Sequence, residues 1–348
     1  MKKILKILAG FIGVVFILFL ILLSYLWIRE YRPKEVEDIK VMGKAEEEIE
    51  SNKEYKIMTW NIGYAGLDKD TDFFMDGGNM VFPIDKSHVE NAFDNILKIS
   101  KEIGADFKLF QEVDKDSKRS YHIDQVEILK DNLGGNLAFA LNYKVDFVPF
   151  PLPPLGKITS GILTQTEKKI EKSERYQQPI PHKFPVRLAN LKRGFSASYL
   201  PVKESDKKFV LVNIHLDAYE SGNQGRLAQS KQIIDFIDSE YKKGNYVLVG
   251  GDFNQELSEV KKEVPEGIWD PSPFPKEYLK DFMKLLYGDS ETSVVNDKPY
   301  TGKDAYLSTI DGFIVTDNIE VKNIKTIKEQ NFQYSDHNPV LLEFKLKN

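Results

Sequence analysis

Several short apolar runs in this 348-residue chain end on a group able to bind a cation or move a proton. "TWN" places Asn61, "FQE" places Glu112, "NIHL" carries His215, "GGDFN" presents Asp252 and Asn254, "STIDGF" holds Asp311 inside an apolar run, and "SDHNP" sets Asp336 beside His337. Asp252 and Asn254 stand two apart, so a strand continuing through both would aim them the same way. Singly, each Asp or Asn reads as a turn former satisfying its own backbone. Jointly they read as a site. The hard oxygen donors Asn61, Glu112 and Asp336, in a chain without cysteine, point to Mg²⁺, Mn²⁺ or Ca²⁺. Magnesium is favoured because it takes one or two carboxylates, keeps its waters and completes its shell with phosphate. A zinc site would want more clustered histidine than His215 and His337, two of the five in the chain.

The elements that must position these groups are mostly strands. β-branched or aromatic runs bounded by turn residues begin at Tyr55, Phe107, Leu137, Ser160, Phe209, Tyr246, Ser308 and Pro339. Two segments carry the helical period. Val89, Phe93, Ile96, Ile99 and Ile103 follow a capping box of Ser87 and Glu90, and Leu227, Ile233, Ile234, Ile237 and Tyr241 run up to Gly244. Strands outnumber helices without regular βαβ alternation, which favours a mixed α/β or α+β layered domain over a doubly wound parallel sheet. "FVPFPLPPLG", Phe147 to Gly156, holds four prolines and must be a loop, either a rigid crossover or a wall for substrate.

A net charge of −5, from 48 basic and 53 acidic residues, gives no global basic field of the kind that drives non-specific nucleic-acid binding. Residues 7–28 are an uncharged apolar run, about 33 Å long as a helix, and read as a transmembrane anchor behind the short basic N-terminus 1–6. A cleaved signal peptide is the competing reading; the run is long for one, and no small-residue cleavage site follows it. Lys2, Lys3 and Lys6 before the run, with Tyr25 and Trp27 at its far end, suit a single-pass protein of the cell membrane with a cytoplasmic N-terminus and an extracytoplasmic domain, although Arg29 and Arg32 blur that orientation. Residues 29–54, with 15 of 26 charged, read as a solvated stalk, and 55–348 as one catalytic domain.

The ordered series "TWN", "QE", "NIHL", "GGDFN", "IDGF" and "SDHNP" resembles the endonuclease/exonuclease/phosphatase superfamily of DNase I-like, metal-dependent phosphoesterases over about Tyr55 to Leu346. The resemblance implies a four-layer α/β sandwich, two mainly antiparallel sheets flanked by helices, with the site at one end. It implies Glu112 as principal ligand of Mg²⁺, or Mn²⁺, with Asn61 and Asp336 in or near the shell. Asp252 would orient or deprotonate the attacking water, Asn254 would hold it or a phosphate oxygen, His215 would donate to a non-bridging oxygen, and His337 would pair with Asp311. An imidazole held by a carboxylate has a fixed tautomer and a raised pKa, useful as base or as cation. The implied activity is hydrolysis of a phosphodiester in nucleic acid or a phospholipid head group, with the bilayer as the other partner and no obligate protein partner evident. The alternatives are a phosphomonoesterase acting on inositol phosphates or phosphoinositides, and a non-catalytic binding module on the same fold.

Other residues are assigned less sharply. Tyr121 and His122, with Arg119, fall where relatives often carry a substrate-facing group, and Arg193 could pair with phosphate. The stretch Tyr64 to Pro83 reads as an inserted loop beside Asn61, with Asp76, Gly77, Gly78 and Asn79 as candidate substrate contacts. Arg226 and Gln229 are expected to support the loop behind His215, His88 to sit in a first helical turn, and His182 in a loop.

Overall fold

The computed structural model describes residues 1–219, 224–260 and 263–348. In chain order its strands are Val36–Asp38 (β1), Val41–Met42 (β2), Tyr55–Asn61 (β3), Phe107–Asp114 (β4), Asn136–Val148 (β5), Gly156–Thr166 (β6), Lys172–Gln177 (β7) and Gly194–Pro201 (β8). They continue as Lys208–His215 (β9), Tyr246–Asp252 (β10), Met283–Leu286 (β11), Ser293–Val294 (β12), Leu307–Ser308 (β13), Asp311–Thr316 (β14), Ile319–Thr326 (β15) and Val340–Leu346 (β16). The helices are Lys2–Ile28 (α1), Lys86–Ile103 (α2), Gln125–Leu133 (α3) and Gln224–Lys242 (α4).

Two seven-stranded sheets form, ordered β15-β16-β3-β4-β6-β5-β2 and β1-β7-β8-β9-β10-β14-β11, with β12 and β13 as a separate ribbon. Each sheet is antiparallel except for one parallel pair near its middle, β3 with β4 and β9 with β10. Parallel neighbours end at the same edge, so Asn61, the close of β4, His215 and Asp252 all emerge at one end of the molecule.

Alternation sorts the side chains into layers. Ile57, Leu109, Phe107, Phe209, Leu211, Leu248, Phe313 and Phe344 meet in the seam between the sheets. Met58, Trp60 and Phe110 face the other way, onto α2 and α3. Val210, Val212, Val247 and Val249 face Ile233, Ile234 and Ile237 of α4. Helix, sheet, sheet, helix is the four-layer sandwich that the motifs implied.

The structure differs from the sequence expectations in four places. Residues 29–54 are not a free stalk: β1 pairs with β7, β2 pairs with β5, and Glu47 and Ile49 bridge to Lys168 and Val202. β1 and β2 are short edge strands of three and two residues set among charged residues, so composition hid the pairing. The N-cap of α2 is Asp85, not Ser87; its carboxylate accepts from the His88 amide at 2.8 Å and from the Ser87 hydroxyl at 2.7 Å. The run from Ser308 is two strands, interrupted at Thr309 and Ile310, and β7, β11, β12, β15 and α3 were not anticipated. The apolar helix begins at Lys2, ahead of the run at residue 7.

A polar bridge crosses the otherwise apolar seam just below the site. Gln111 Nε2 donates to Asn213 Oδ1 at 2.7 Å, and Asn213 Nδ2 donates to the carbonyls of Phe110 (3.2 Å) and Leu163 (3.1 Å). Those carbonyls flank a bulge in which β4 slips register against β6. Asn213→Leu should therefore destabilise the fold by about 2–3 kcal/mol in urea unfolding, because it strands buried partners. The double Gln111→Leu/Asn213→Leu should recover part of that loss, since fewer polar atoms remain unpaired.

Candidate active site

The inward faces of the central strands change character along their length. Ile57, Thr59 and Asn61 follow one another on β3, Leu211, Asn213 and His215 on β9, and Leu248, Gly250 and Asp252 on β10. β14 runs the other way, from Asp311 through Phe313 to Val315, and Asp252 is the direct register partner of Asp311. The apolar seam thus ends in a cap of ionisable groups. Gly251 makes the approach possible: its φ is +149°, and a Cβ there would lie 2.1 Å from the Ile214 carbonyl.

Asp252 is buried, and burial first, then the neighbouring Asp311, pushes its carboxyl up to about 7. Asn61 Nδ2 donates to its Oδ2 at 3.0 Å, the Asn254 amide donates to Oδ1 at 2.8 Å, and His215 Nε2 stands 3.3 Å from Oδ2. His215 is held well below the usual histidine range by burial and then by Arg193, His337 and Arg119, so it is a neutral imidazole.

His337 takes the opposite state. Its Nδ1 lies 2.8 Å from Asp311 Oδ2, and although burial opposes its charge, Asp311, with Asp336 and Asp252 behind it, lifts its pKa well above the usual value. Its backbone is fastened to the other sheet. The Trp60 indole and Gln330 both donate to the His337 carbonyl, at 2.8 and 2.9 Å, and Ser335 Oγ donates to the Asn61 carbonyl at 2.8 Å. Ser293 Oγ, from β12, approaches Nε2 at 3.4 Å, a contact that no motif announced.

Glu112 occupies the bulge with φ +54°, a left-handed conformation costly for a residue with a Cβ. Its carboxylate stands 4.0 Å from His215 and 3.9 Å from Arg119. Arg119 is itself bound to Asp114 at 3.0 and 3.1 Å and lies 3.8 Å over the Tyr64 ring. Glu112, Arg119, Tyr64, Asn61, His215, Asp252 and His337 line one cleft of about 660 Å³, together with Asp336, Asn254, Arg193 and Asp76. Arg193 Nε lies 3.5 Å from Asp217 Oδ1. Asp76 comes from the inserted loop and accepts from Tyr219 at 2.6 Å, and Tyr219 is a further cleft residue that sequence reasoning missed.

The structure does not bring Tyr121 and His122 into the cleft. Tyr121 donates to the Pro83 carbonyl at 3.0 Å and packs under α2 and α3, while His122 is exposed and pairs with Asp116 at 2.6 Å. A tight turn at Ser117–Tyr121 carries both outward and leaves only Arg119 facing in. Gln229 supports the loop behind His215 through Asp217 Oδ2 at 2.5 Å, and Arg226 donates to the Asn254 carbonyl at 2.8 Å. His88 pairs with Asp68 near the start of α2, whereas His182 proves to line the cleft.

Two sets of donors could hold a cation. Ligand atoms of Asp252, Asp311 and His337 lie within 4.8 Å of one another. Two members of that set, Asp311 and His337, are already engaged with each other. Asp336 is the better partner for a hard ion: burial, then Glu112, Asp76 and Asp252, hold its carboxyl well above the usual range, with His337 opposing. A cation between Glu112 and Asp336 would relieve that crowding of acids. Asn61 stands beside them with its amide oxygen already accepting from Gly63 at 3.0 Å.

No protein-family model matches the sequence, and no curated protein matches it. Solved structures match its shape. The endonuclease/exonuclease/phosphatase from Beutenbergia cavernae DSM 12333 superposes with a TM-score of 0.61 at 16% identity, covering 85% of this chain and 72% of that one. D. rerio TDP2 complexed with single strand DNA product gives 0.53 at 15% identity, over 84% and 100%. The endonuclease/exonuclease/phosphatase from Bacteroides vulgatus gives 0.53 at 17%, over 85% and 100%. The chain has the endonuclease/exonuclease/phosphatase fold.

Asp311→Asn should move the NMR titration of His337 to lower pH, since it removes the largest influence raising that pKa. The native pKa lies above the unfolded one, so the pair stabilises below the unfolded histidine value of about 6.5 and loses this contribution as pH rises through the native pKa. The stability gap between wild type and variant should accordingly be widest in mildly acidic buffer and narrow on the alkaline side.

Proposed function

We propose that the protein is a Mg²⁺-dependent phosphoesterase that hydrolyses phosphodiesters by in-line attack of water. The observation that carries this reading is a buried carboxylate and a buried imidazole, Asp252 and His337, 3.9 Å apart at one end of the cleft, each with its pKa raised by its surroundings. The fold shared with endonuclease/exonuclease/phosphatase structures supports it.

Asp252, with its carboxyl near 7, is a base matched to neutral pH; it orients the water and accepts its proton. Asn61 and the Asn254 amide hold that carboxylate still. His337, kept protonated by Asp311, offers Nε2 and a positive charge to a phosphoryl oxygen, and neutral His215 donates to another. Glu112 and Asp336, with Asn61 beside them, would hold the magnesium ion. When bound, that ion neutralises charge developing on the phosphoryl oxygens. Helix α1 is long and apolar enough to cross a membrane, and we place it there as a single-pass anchor, Lys2, Lys3 and Lys6 on the cytoplasmic side and the domain outside.

The purified full chain should cleave bis-p-nitrophenyl phosphate with Mg²⁺ or Mn²⁺ and stop when EDTA is added. Asp252→Asn and His337→Ala should each lower the rate by about 10²-fold or more. Metal-independent cleavage, or wild-type rates in both variants, would overturn the proposal.

A further inference from the structure

Helix α1 is longer than a bilayer requires. Its 27 residues make about 40 Å against a hydrocarbon core of about 30 Å, so about two turns remain. Those turns are built into the domain. Leu22, Leu23 and Leu26 join Val145, Val148, Ile158 and Leu188 in one apolar cluster. The exit of the helix is clamped as well: the Tyr25 hydroxyl and Arg29 Nε both donate to Asp146, at 3.2 and 2.6 Å, and Glu30 pairs with Lys192 at 3.4 Å, both side chains almost wholly buried.

This cluster borders the cleft that holds the candidate site. Phe19, Leu22, Leu23 and Leu26 line the same depression as Asn61, Glu112, Asp252, Asp336 and His337, and the proline loop supplies Val148, Pro149, Phe150 and Leu155 to it. One continuous trough is therefore greasy where the membrane helix stands and ionisable at the other end. Of its lining residues Phe150 is 73% and Val186 58% exposed, and Leu152 and Phe184, two and one residue from lining positions 150 and 185, are 78% and 55% exposed. Such a patch beside a membrane helix is expected to be covered by lipid rather than by water. A nucleic acid would lay charged phosphates and sugars against these leucines, and a chain of net charge −5 has no general field to draw it in.

We infer that the substrate is the phosphodiester of a membrane lipid, drawn from the bilayer that holds α1, its acyl chains lying against Leu22, Leu23 and Val148 and its phosphate between His215 and His337. This rests on the phosphodiesterase reading above. The oxygen of water forms a new bond to phosphorus on the Asp252 side. The opposite P–O bond breaks, its electron pair leaving with the lipid alkoxide that faces the trough. One proton of the water is taken up by Asp252, the alkoxide takes a proton from a solvent water, and Asp252 returns its proton to the hydroxide so formed, giving a lipid alcohol and a phosphomonoester of the head group.

The test uses the full chain reconstituted in phosphatidylcholine vesicles carrying a fraction of phosphatidylcholine with a diazirine on one acyl chain. With EDTA present, photolysis and peptide mapping should place label on trough residues of the domain, such as Leu155, Ile158 and Val186, as well as on α1. With Mg²⁺ instead, vesicle lipid should be hydrolysed at least tenfold faster than bis-p-nitrophenyl phosphate or single-stranded DNA at equal diester concentration. The double variant Leu152→Ser/Phe184→Ser should lower that ratio about fivefold. Label confined to α1, or preferential cleavage of the soluble diester or the DNA, would overturn the lipid assignment while leaving the phosphodiesterase standing. Failure to cleave any of the three diesters would overturn the phosphodiesterase reading itself and this inference with it.

Discussion

Asp252 and Asp311 are register partners on adjacent strands, both buried, and two carboxylates so placed repel each other. Their own sheet offers no cation to separate them. Relief comes from the other sheet: His337 puts an imidazole against Asp311, and Asn61 puts an amide on Asp252. The arrangement is stable only while the two sheets stay in register at this end. Trp60 and Ser335 bind the His337 segment to the end of β3 with that result, and Gln330 holds the same carbonyl from the preceding turn. The electrostatic problem created by one sheet is solved by the other, and the solution is also what raises the pKa of His337.

The same dependence runs downward into the seam. Gln111 and Asn213 join the sheets one layer below, and Asn213 accepts the task of satisfying carbonyls around the β4 bulge. The bulge holds Glu112 in a left-handed conformation that a regular strand would not impose. Strain at the proposed metal ligand is thus offset by hydrogen bonds from the opposite sheet, and Phe107, Phe209 and Phe344 behind them keep water from competing.

Much of this was legible because strands declare their ends. A two-residue period that runs apolar and then turns polar, as in β3, β9 and β10, marks both the strand and the group it delivers. What stayed hidden depends on partners that no single segment reveals. The bulge at Glu112 exists only against β6, and β1 and β2 are strands only because β7 and β5 offer them an edge, so their charged sequence looked like a stalk. Tyr121 and His122 have the right types at the right distance from Glu112, but a turn settles direction, and it points them away. Asp76 and Tyr219 meet across 143 residues, beyond any local pattern.

The helix α1 shows the same limit from the other side. Its composition says that it can cross a membrane, but composition treats an anchor as a tether whose attachment point is indifferent. Here the attachment is a wall of the cleft, since Leu22, Leu23 and Leu26 are shared between the helix and the trough. A tether raises the local concentration of whatever the membrane carries; a wall also shapes what can enter. Because Glu30 and Arg29 fix the helix to the same segments that bear Asn142 and Arg193, the position of α1 relative to Asp252 and His337 is set by the fold rather than by the length of a linker. Helix α1, the edge strands and the cleft form one mechanical unit, and cutting the chain at residue 51 would remove α1, β1, β2 and one wall of the cleft.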